Sequence, residues 1–292
     1  MLQSVSLSNL PIVRRLFFRL SLAGLLALVA SGGAWAGPLD NPETAGLRSL
    51  GGGVYVDPAL PAAEVAGLQR LLEGARRRVS LYYGGVSASP NVIFCGSDDC
   101  YCDLGGVGLG FSDGANVLVS PRGRRLAIVA HELAHVELAS RVGGLQRVLQ
   151  LLPQWFDEGL AVLTSMAREF NDEAWQEATI DGSRAPALSE IAAMNDWVAR
   201  TGPNGEHMQM TYGTARREVA RWFEMVGADG LADLLTALET REPFAEAYAR
   251  IEHQHREAAA RREAVAVKPE EAVAESPVAP FSPPQLRGRA AW

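Results

Sequence analysis

The chain has 292 residues, of which 48% are hydrophobic and 21% are charged. This length is enough for one large domain or two small ones with a proper core, and the composition is ordinary for a soluble globular protein. The formal net charge of −7 argues against a general nucleic-acid-binding protein, because such proteins need a cationic surface to displace counterions.

The first 36 residues have the pattern of a secretory signal peptide. Three arginines between positions 14 and 19 precede the apolar run LSLAGLLALVA (20–30), and Ala-Trp-Ala before Gly37 fits a small-x-small cleavage site. The apolar run is short for a transmembrane helix, so we expect an exported protein, periplasmic or secreted. An uncleaved anchor in the inner membrane is the alternative. Cleavage removes three arginines, which takes the net charge from −7 to −10.

Residues 37–260 are predicted to form the folded domain, which begins with a mixed part that extends to about residue 145. Three short runs, bounded by Gly or Pro and either alternating or rich in β-branched residues, are typical of strands: 52–58, 91–95 and 114–121. Between the first two, residues 61–84 carry apolar side chains at helical spacing. Small strands separated by one helix predict an α+β layer.

After Pro121 the pattern becomes helical. RRLAIVAHELAHVELASRV (124–142) is apolar around much of its circumference and predicts a buried helix, and LPQWFDEGLAVLTSMAREF (152–170) predicts a second that starts near Pro153. Further helices are expected at 187–199, 211–226, 228–239 and 243–262. Residues 261–292 are rich in Ala, Pro and Glu without a hydrophobic period, which predicts a disordered tail.

The three cysteines lie together in FCGSDDCYCDLGG, at positions 95, 100 and 102. In an exported protein a local disulfide is the natural interpretation, with Cys95 paired to Cys100 or to Cys102 and one thiol left over. A metal cluster is the alternative, but C-x4-C-x-C is not a recognised zinc spacing.

The run HELAH contains two histidines four residues apart, His131 and His135. Residues i and i+4 share one face of a helix, so both imidazoles can bind one metal ion. Glu132 is offset by one position and is therefore placed beside the ion, where it can take a proton from the water that the ion activates. Because the rest of this helix is apolar, buried imidazoles and a buried carboxylate would be costly without a bound cation.

A catalytic zinc centre needs a third protein ligand. Glu158, in WFDEGLA, begins the next helix and is flanked by Trp, Phe, Leu and Ala, so its carboxylate would be poorly solvated unless it bound something. His207 lies in a polar glycine-rich stretch, and His253 and His255 lie late in the chain. Glu158 is the predicted third ligand.

HELAH followed by WFDEGLA resembles the gluzincins, the thermolysin-like class of zinc metallopeptidases, and within it bacterial peptidase-MA-like domains related to the W-x-x-E-G-x-A motif of the aminopeptidase branch. The resemblance covers roughly residues 50–255. It implies a zincin-like fold and a Zn2+ ion held by His131, His135 and Glu158, with Glu132 as general base in peptide-bond hydrolysis.

Two further roles are implied by this resemblance. A strand just before the metal helix pairs with extended substrate, and residues 114–121 take that position. A tyrosine or histidine of the helical part stabilises the oxyanion, which points to Tyr212 or, as the second choice, to His207. A core aromatic at a helix start is an equally good interpretation of Tyr212.

The sequence departs from the family in two places. The glutamate with which the aminopeptidase branch grips the substrate's amino terminus has no counterpart in GGVGLGFSDGANV, which favours an endopeptidase. Val162 replaces the aspartate that orients a metal ligand in thermolysin-like enzymes, and Asp157 is the substitute candidate. The predicted partner is a peptide or protein. A zinc-containing peptide-binding protein without activity, and a hydrolase of cell-wall peptides, are the competing hypotheses.

Overall fold

The computed structural model describes residues 37–266, so the predicted signal peptide and residues 267–292 of the predicted tail lie outside the described residues. Within 37–266 the fold is mixed α+β and mostly helical, with one small sheet. None of the helices in this part of the chain is both long enough and apolar enough to cross a membrane.

Five short strands form the sheet. They are β1 (Arg48–Gly51), β2 (Val54–Val56), β3 (Val92–Phe94), β4 (Gly110–Ser112) and β5 (Val117–Val119). Nine α-helices lie in residues 37–266: α1 (Ala62–Tyr83), α2 (Asp98–Asp103), α3 (Leu126–Val142), α4 (Leu145–Leu151), α5 (Gln154–Ser165), α6 (Asp172–Thr179), α7 (Met194–Thr201), α8 (Met208–Glu239) and α9 (Phe244–Ala266). Short 3-10 helices occur at Pro42–Ala45, Pro121–Gly123, Arg168–Phe170 and Leu188–Ile191.

The strongest sequence patterns are confirmed as β2, β3, β5, α1 and α3. The helix predicted at 152–170 is shorter, because Met166 adopts a left-handed conformation (φ 52°) that ends α5 at Ser165. The helix predicted at 187–199 is a 3-10 turn followed by α7. Two helices predicted on either side of residue 227 form α8, which is interrupted where Gly227 leaves the helical conformation. The last helix ends at Ala266, six residues past the expected end of the domain.

The sheet has the order β1-β2-β3-β5-β4, with β2, β3 and β5 parallel and the two outer strands antiparallel to their neighbours. The expectation that residues 114–121 supply the edge is wrong, since β5 lies between β3 and β4. The edge is β4, in the preceding glycine-rich stretch. A tight turn reverses the chain between the two strands, where Asp113 Oδ1 accepts hydrogen bonds from the amides of Ala115 and Asn116.

Both faces of the sheet are covered, which explains why its central strands are apolar at every position. In β3, Val92 and Phe94 face the large core formed with the helices, whereas Ile93 faces a smaller core on the opposite side. The smaller core includes Tyr101 of α2. Cys95 and Cys100 form a disulfide that ties α2 to the end of β3, and Cys102 is free and exposed.

Helix α3 is fixed to the loop after α1 by Glu137, which is 1% exposed. Its carboxylate accepts hydrogen bonds from the amides of Ser87 and Ala88, from the Ser87 hydroxyl and from Arg141 Nε. Burial opposes ionisation of this group, but these donors outweigh burial and lower the pKa of Glu137. Helix α3 is therefore held in place from a face that points away from His131 and His135.

Glu137→Ala is expected to lower the free energy of unfolding by about 3 kcal/mol, because it leaves a guanidinium and two amides without their acceptor in a buried place. Chemical denaturation measures this change. Glu73→Ala, at an exposed position of α1, is the matched control. Equal effects of the two substitutions would show that Glu137 does not anchor the helix.

Candidate metal centre

The predicted metal ligands come together where α3 and α5 pack against each other. His131 and His135 are one turn apart on α3, and their rings meet edge to face with centroids 4.7 Å apart. Glu158 projects from α5 toward both rings. The three side chains form a group able to hold a metal ion, and we call it the metal triad (His131, His135 and Glu158).

The separations of the ligand atoms suit a tetrahedral ion. The two Nε2 atoms are 3.1 Å apart, and Glu158 Oε2 lies 3.4 Å from His131 Nε2 and 3.7 Å from His135 Nε2. Bonds of 2.0–2.1 Å to a tetrahedral zinc ion place neighbouring ligand atoms about 3.3 Å apart. The side chains therefore need little movement to bind one ion.

The polar atoms of the metal triad are arranged to interact with a cation. Glu158 Oε2 is buried and has no hydrogen-bond donor among the described residues. Although burial opposes its ionisation, the two histidines hold the pKa of Glu158 well below its usual range. Burial likewise opposes a charge on His135, yet Asp157 and Glu158 raise the pKa of His135 well above its usual range. The site thus stabilises positive charge between its ligands.

Asp157 orients one of the ligands. Its Oδ1 lies 2.7 Å from His135 Nδ1, which leaves Nε2 of the same ring directed at the other two ligands. A carboxylate on the far ring nitrogen fixes the tautomer and increases the basicity of the metal-binding nitrogen. Asp157 therefore holds the His135 ring in place, from a position on α5 next to Glu158.

Asp157→Asn is expected to weaken zinc affinity by about 10- to 100-fold without abolishing binding, because the neutral amide orients His135 less firmly. Competition with a chromophoric chelator measures this affinity. Asp196→Asn, on an exposed residue of α7, should leave it unchanged. If Asp157→Asn bound zinc as tightly as the parent, Asp157 would not orient a metal ligand.

Glu132 is buried beside the metal triad, with 9% of its surface exposed. Burial, reinforced by Glu158 and Asp157, raises the pKa of Glu132, and the two histidines only partly oppose this rise. Its side chain also lines the cleft that contains the triad. A carboxylate in this environment is a better proton acceptor than one in water.

The metal triad lies in a cleft of about 1150 Å³. One wall is the edge strand β4, whose Gly110, Phe111 and Ser112 all line the cleft. At Gly110 the strand lies directly on the general-base candidate, because a Cβ there would stand 2.7 Å from Glu132 Cγ and 2.8 Å from Ile128 Cγ2. A larger residue at position 110 would therefore displace Glu132.

The structure brings Tyr212, but not His207, into this cleft. Tyr212 is 9% exposed, stacks on Phe170 at 5.2 Å and meets Trp197 edge to face at 4.8 Å. Burial and then the charge of Glu158 raise the pKa of Tyr212 well above its usual range, against an opposing effect of Trp197, so the hydroxyl keeps its proton. His207 is exposed at the start of α8 and lines a separate cavity with Pro186 and Arg200.

Two residues of the site did not emerge from the sequence. Gln154 Nε2 donates a 3.3 Å hydrogen bond to Glu158 Oε1, which leaves Oε2 near the two histidines. Its position four residues before Glu158 on one helix is a signal that could have indicated this contact. Gly110 carries no comparable signal, because its role depends on how the strand packs against α3.

Comparison of the chain with protein-family models, curated proteins and solved structures gave no match.

Proposed function

We propose that the protein is a zinc-dependent peptidase of the cell envelope that hydrolyses internal peptide bonds. The observation that carries this proposal is the convergence of two histidines and a glutamate in an open cleft, with the buried carboxylate of Glu132 beside them. A purely structural zinc site is closed by four protein ligands and has no use for a base at an open position. The resemblance of HELAH and WFDEGLA to the gluzincins supports the same conclusion.

His131, His135 and Glu158 would hold the zinc ion, and Asp157 and Gln154 keep two of these ligands oriented. A zinc ion bound there supplies Lewis acidity, which polarises a carbonyl group and acidifies water. Zinc is the metal of choice because a tetrahedral set of two imidazoles and one carboxylate is a common catalytic zinc site.

Glu132 is the proposed general base. It accepts a proton from the attacking water and delivers this proton to the nitrogen of the leaving amine, so that the peptide bond breaks and a carboxylate and an amine are released. Its raised pKa makes the Glu132 carboxylate a better proton acceptor than a carboxylate in water.

The edge strand β4 is the proposed platform for substrate. Its outer side has no partner strand within residues 37–266, and an extended peptide can pair with such an edge through main-chain hydrogen bonds. This mode of binding holds the main chain of the substrate and leaves its side chains to the walls of the cleft. It also suits an internal segment of a polypeptide, in agreement with an endopeptidase.

Tyr212 is the proposed donor to the oxyanion of the tetrahedral intermediate. Tyr212→Phe is expected to lower kcat by about 10²- to 10³-fold, as for the loss of one oxyanion donor, with little change in KM because the ring keeps its packing. Steady-state kinetics measure both constants. His207→Ala is the matched control and should cleave like the parent, since His207 lies outside the cleft. A loss of kcat in His207→Ala, with parent-like kcat in Tyr212→Phe, would instead identify His207 as the oxyanion donor.

The proposed activity is tested by incubating the zinc-loaded protein with casein and, in parallel, with peptidoglycan stem peptides. Cleavage of casein that stops with a chelator and returns with zinc supports a peptidase. Cleavage restricted to stem peptides would identify a cell-wall hydrolase, whereas bound zinc without cleavage of either substrate would favour a peptide-binding protein. We propose casein-like and cell-wall substrates because the predicted signal peptide leads us to expect an exported protein.

A further inference from the structure

The two ends of the cleft differ in chemistry. Their positions follow from the antiparallel packing of α3 and α5, because Asp157 near the start of α5 contacts His135 in the second half of α3. The far end of α5 and the start of α3 both contact α1. Arg78 of α1 donates a hydrogen bond to the Ser165 carbonyl at the end of α5. One turn earlier on α1, Gly74 packs against Leu126 at the start of α3. The metal triad stands between these two ends.

The end of the cleft near the start of α3 carries two charged side chains, which lie among apolar ones such as Ile128 and Phe170. Arg125, which immediately precedes α3, and Glu169, four residues after the end of α5, both line it and are both exposed. Neither forms an ion pair within the described part of the chain, so both are free to meet a polar or charged group of a ligand.

The opposite end, beyond the end of α3, is apolar. Gly143 and Gly144, with φ of 92° and 111°, let the chain turn sharply from α3 into α4. As a result Leu145, Val148 and Leu149 of α4 line the cleft. Leu145 and Leu149 are half-buried, so part of their apolar surface faces open space.

Two other segments complete this apolar end. The tip of the β4–β5 hairpin lies on α4, where a Cβ on Gly114 would stand 2.6 Å from Leu145 Cβ. Met194 at the start of α7 lines the same cleft, and its segment is tied to α5 by a 2.8 Å hydrogen bond from the Gln154 amide to the Ala192 carbonyl. Apolar side chains of α4 and α7, with Gly114 of the hairpin beside α4, therefore line part of the same cleft that contains the metal triad.

We infer that Leu145, Val148, Leu149 and Met194 form an apolar subsite for one large aliphatic or aromatic side chain of the substrate, at a fixed position beside the bond that is cleaved. This inference depends on the proposed peptidase function, whose substrate class it narrows. A concave apolar surface next to a few convergent polar groups is the usual form of a specificity pocket. The charged end accommodates polar residues on the other side of the scissile bond.

The inference is tested with a mixture of peptides of varied sequence, whose cleavage products are identified by mass spectrometry. Leu, Phe or Met should be enriched at one position on one side of the cleaved bond. Replacing that residue by Ala in a single peptide should lower kcat/KM at least about tenfold, since even one methylene in such a pocket is worth that much. No enrichment at any position near the bond would overturn the inference.

Leu149→Asp is the decisive variant, because a carboxylate in the subsite should shift the preference at that position from apolar residues to Lys or Arg. Leu81→Asp, at a leucine of α1 that is 65% exposed, is the matched control and should keep the parent preference. Thermal unfolding verifies that both variants are folded. If Leu149→Asp is unfolded, Met194→Lys is used in its place. The expected preference of Met194→Lys at that position is for Asp or Glu. An unchanged preference in the folded variant would contradict the inference.

Failure of the inference is distinguishable from failure of the proposed function. Binding of a Leu-containing peptide to zinc-loaded Glu132→Gln can be measured by fluorescence, without any turnover. Cleavage without an apolar preference would contradict the proposed subsite but agree with the proposed peptidase function. The other outcome is a parent protein that cleaves nothing, while the variant binds the peptide only when both the Leu of the peptide and Leu149 are present. That result would support the subsite and contradict the peptidase function.

Discussion

Glu132→Gln is expected to lower kcat for peptide cleavage by about 10²- to 10⁴-fold while the protein still binds one zinc ion, because the amide cannot accept the proton of the attacking water. The substitution preserves the size and most of the contacts of a side chain that is 9% exposed. It should therefore leave the metal triad in place. The measurements are steady-state kinetics and zinc content of the same preparation.

Two comparisons make this result specific. Glu73→Gln removes a carboxylate from an exposed position on α1 and should cleave at the parent rate. Gly110→Ala should also lower kcat with zinc retained, because its added Cβ would press on Glu132. If Glu132→Gln cleaved as fast as the parent, the general-base mechanism would be wrong.

His135→Ala is expected to reduce the zinc content from one ion per chain to nearly none. The parent should be stabilised by zinc, by about 4 kcal/mol at a free zinc concentration 1,000-fold above Kd, and this stabilisation should disappear in the variant. Thermal unfolding with and without zinc measures the difference. The reason is geometric, since His135 Nε2 lies within 3.1–3.7 Å of both other ligand atoms.

The control for this variant is His253→Ala, on a histidine whose side chain is 68% exposed in α9. It removes an imidazole that the sequence alone could not exclude as a ligand, and zinc should still stabilise it fully. A loss of zinc in His253→Ala together with full binding in His135→Ala would place the ion elsewhere in the protein.

The centre of the site could be predicted from the sequence because its chemistry depends on local spacing. Two histidines four residues apart on one apolar helix must share a face, and a glutamate among Trp, Phe and Leu needs a partner. The structure brings the three side chains together as the spacing of HELAH and WFDEGLA indicated. The local disulfide and the α+β order of elements were predictable for the same reason.

The walls of the cleft could not be predicted, because they depend on contacts between distant segments. Strand β4 is only Gly-Phe-Ser, which has little strand propensity, so the sequence predicts no strand there. The proposed substrate edge therefore falls, in the sequence, to residues 114–121, the predicted strand just before α3, whereas the structure places β4 at the edge. Helix α4 has seven residues and no clear period. Its leucines acquire a role only because the two glycines before it turn the chain back toward the cleft.

X-ray absorption at the zinc edge of the zinc-loaded protein tests the central claim most directly. One zinc per chain, with about four nitrogen and oxygen neighbours at 2.0–2.1 Å and the scattering pattern of two imidazoles, is the predicted result. A sulfur neighbour at about 2.3 Å would place the metal at the cysteines instead. That spectrum, or the absence of stoichiometric zinc, would contradict a catalytic centre formed by His131, His135 and Glu158.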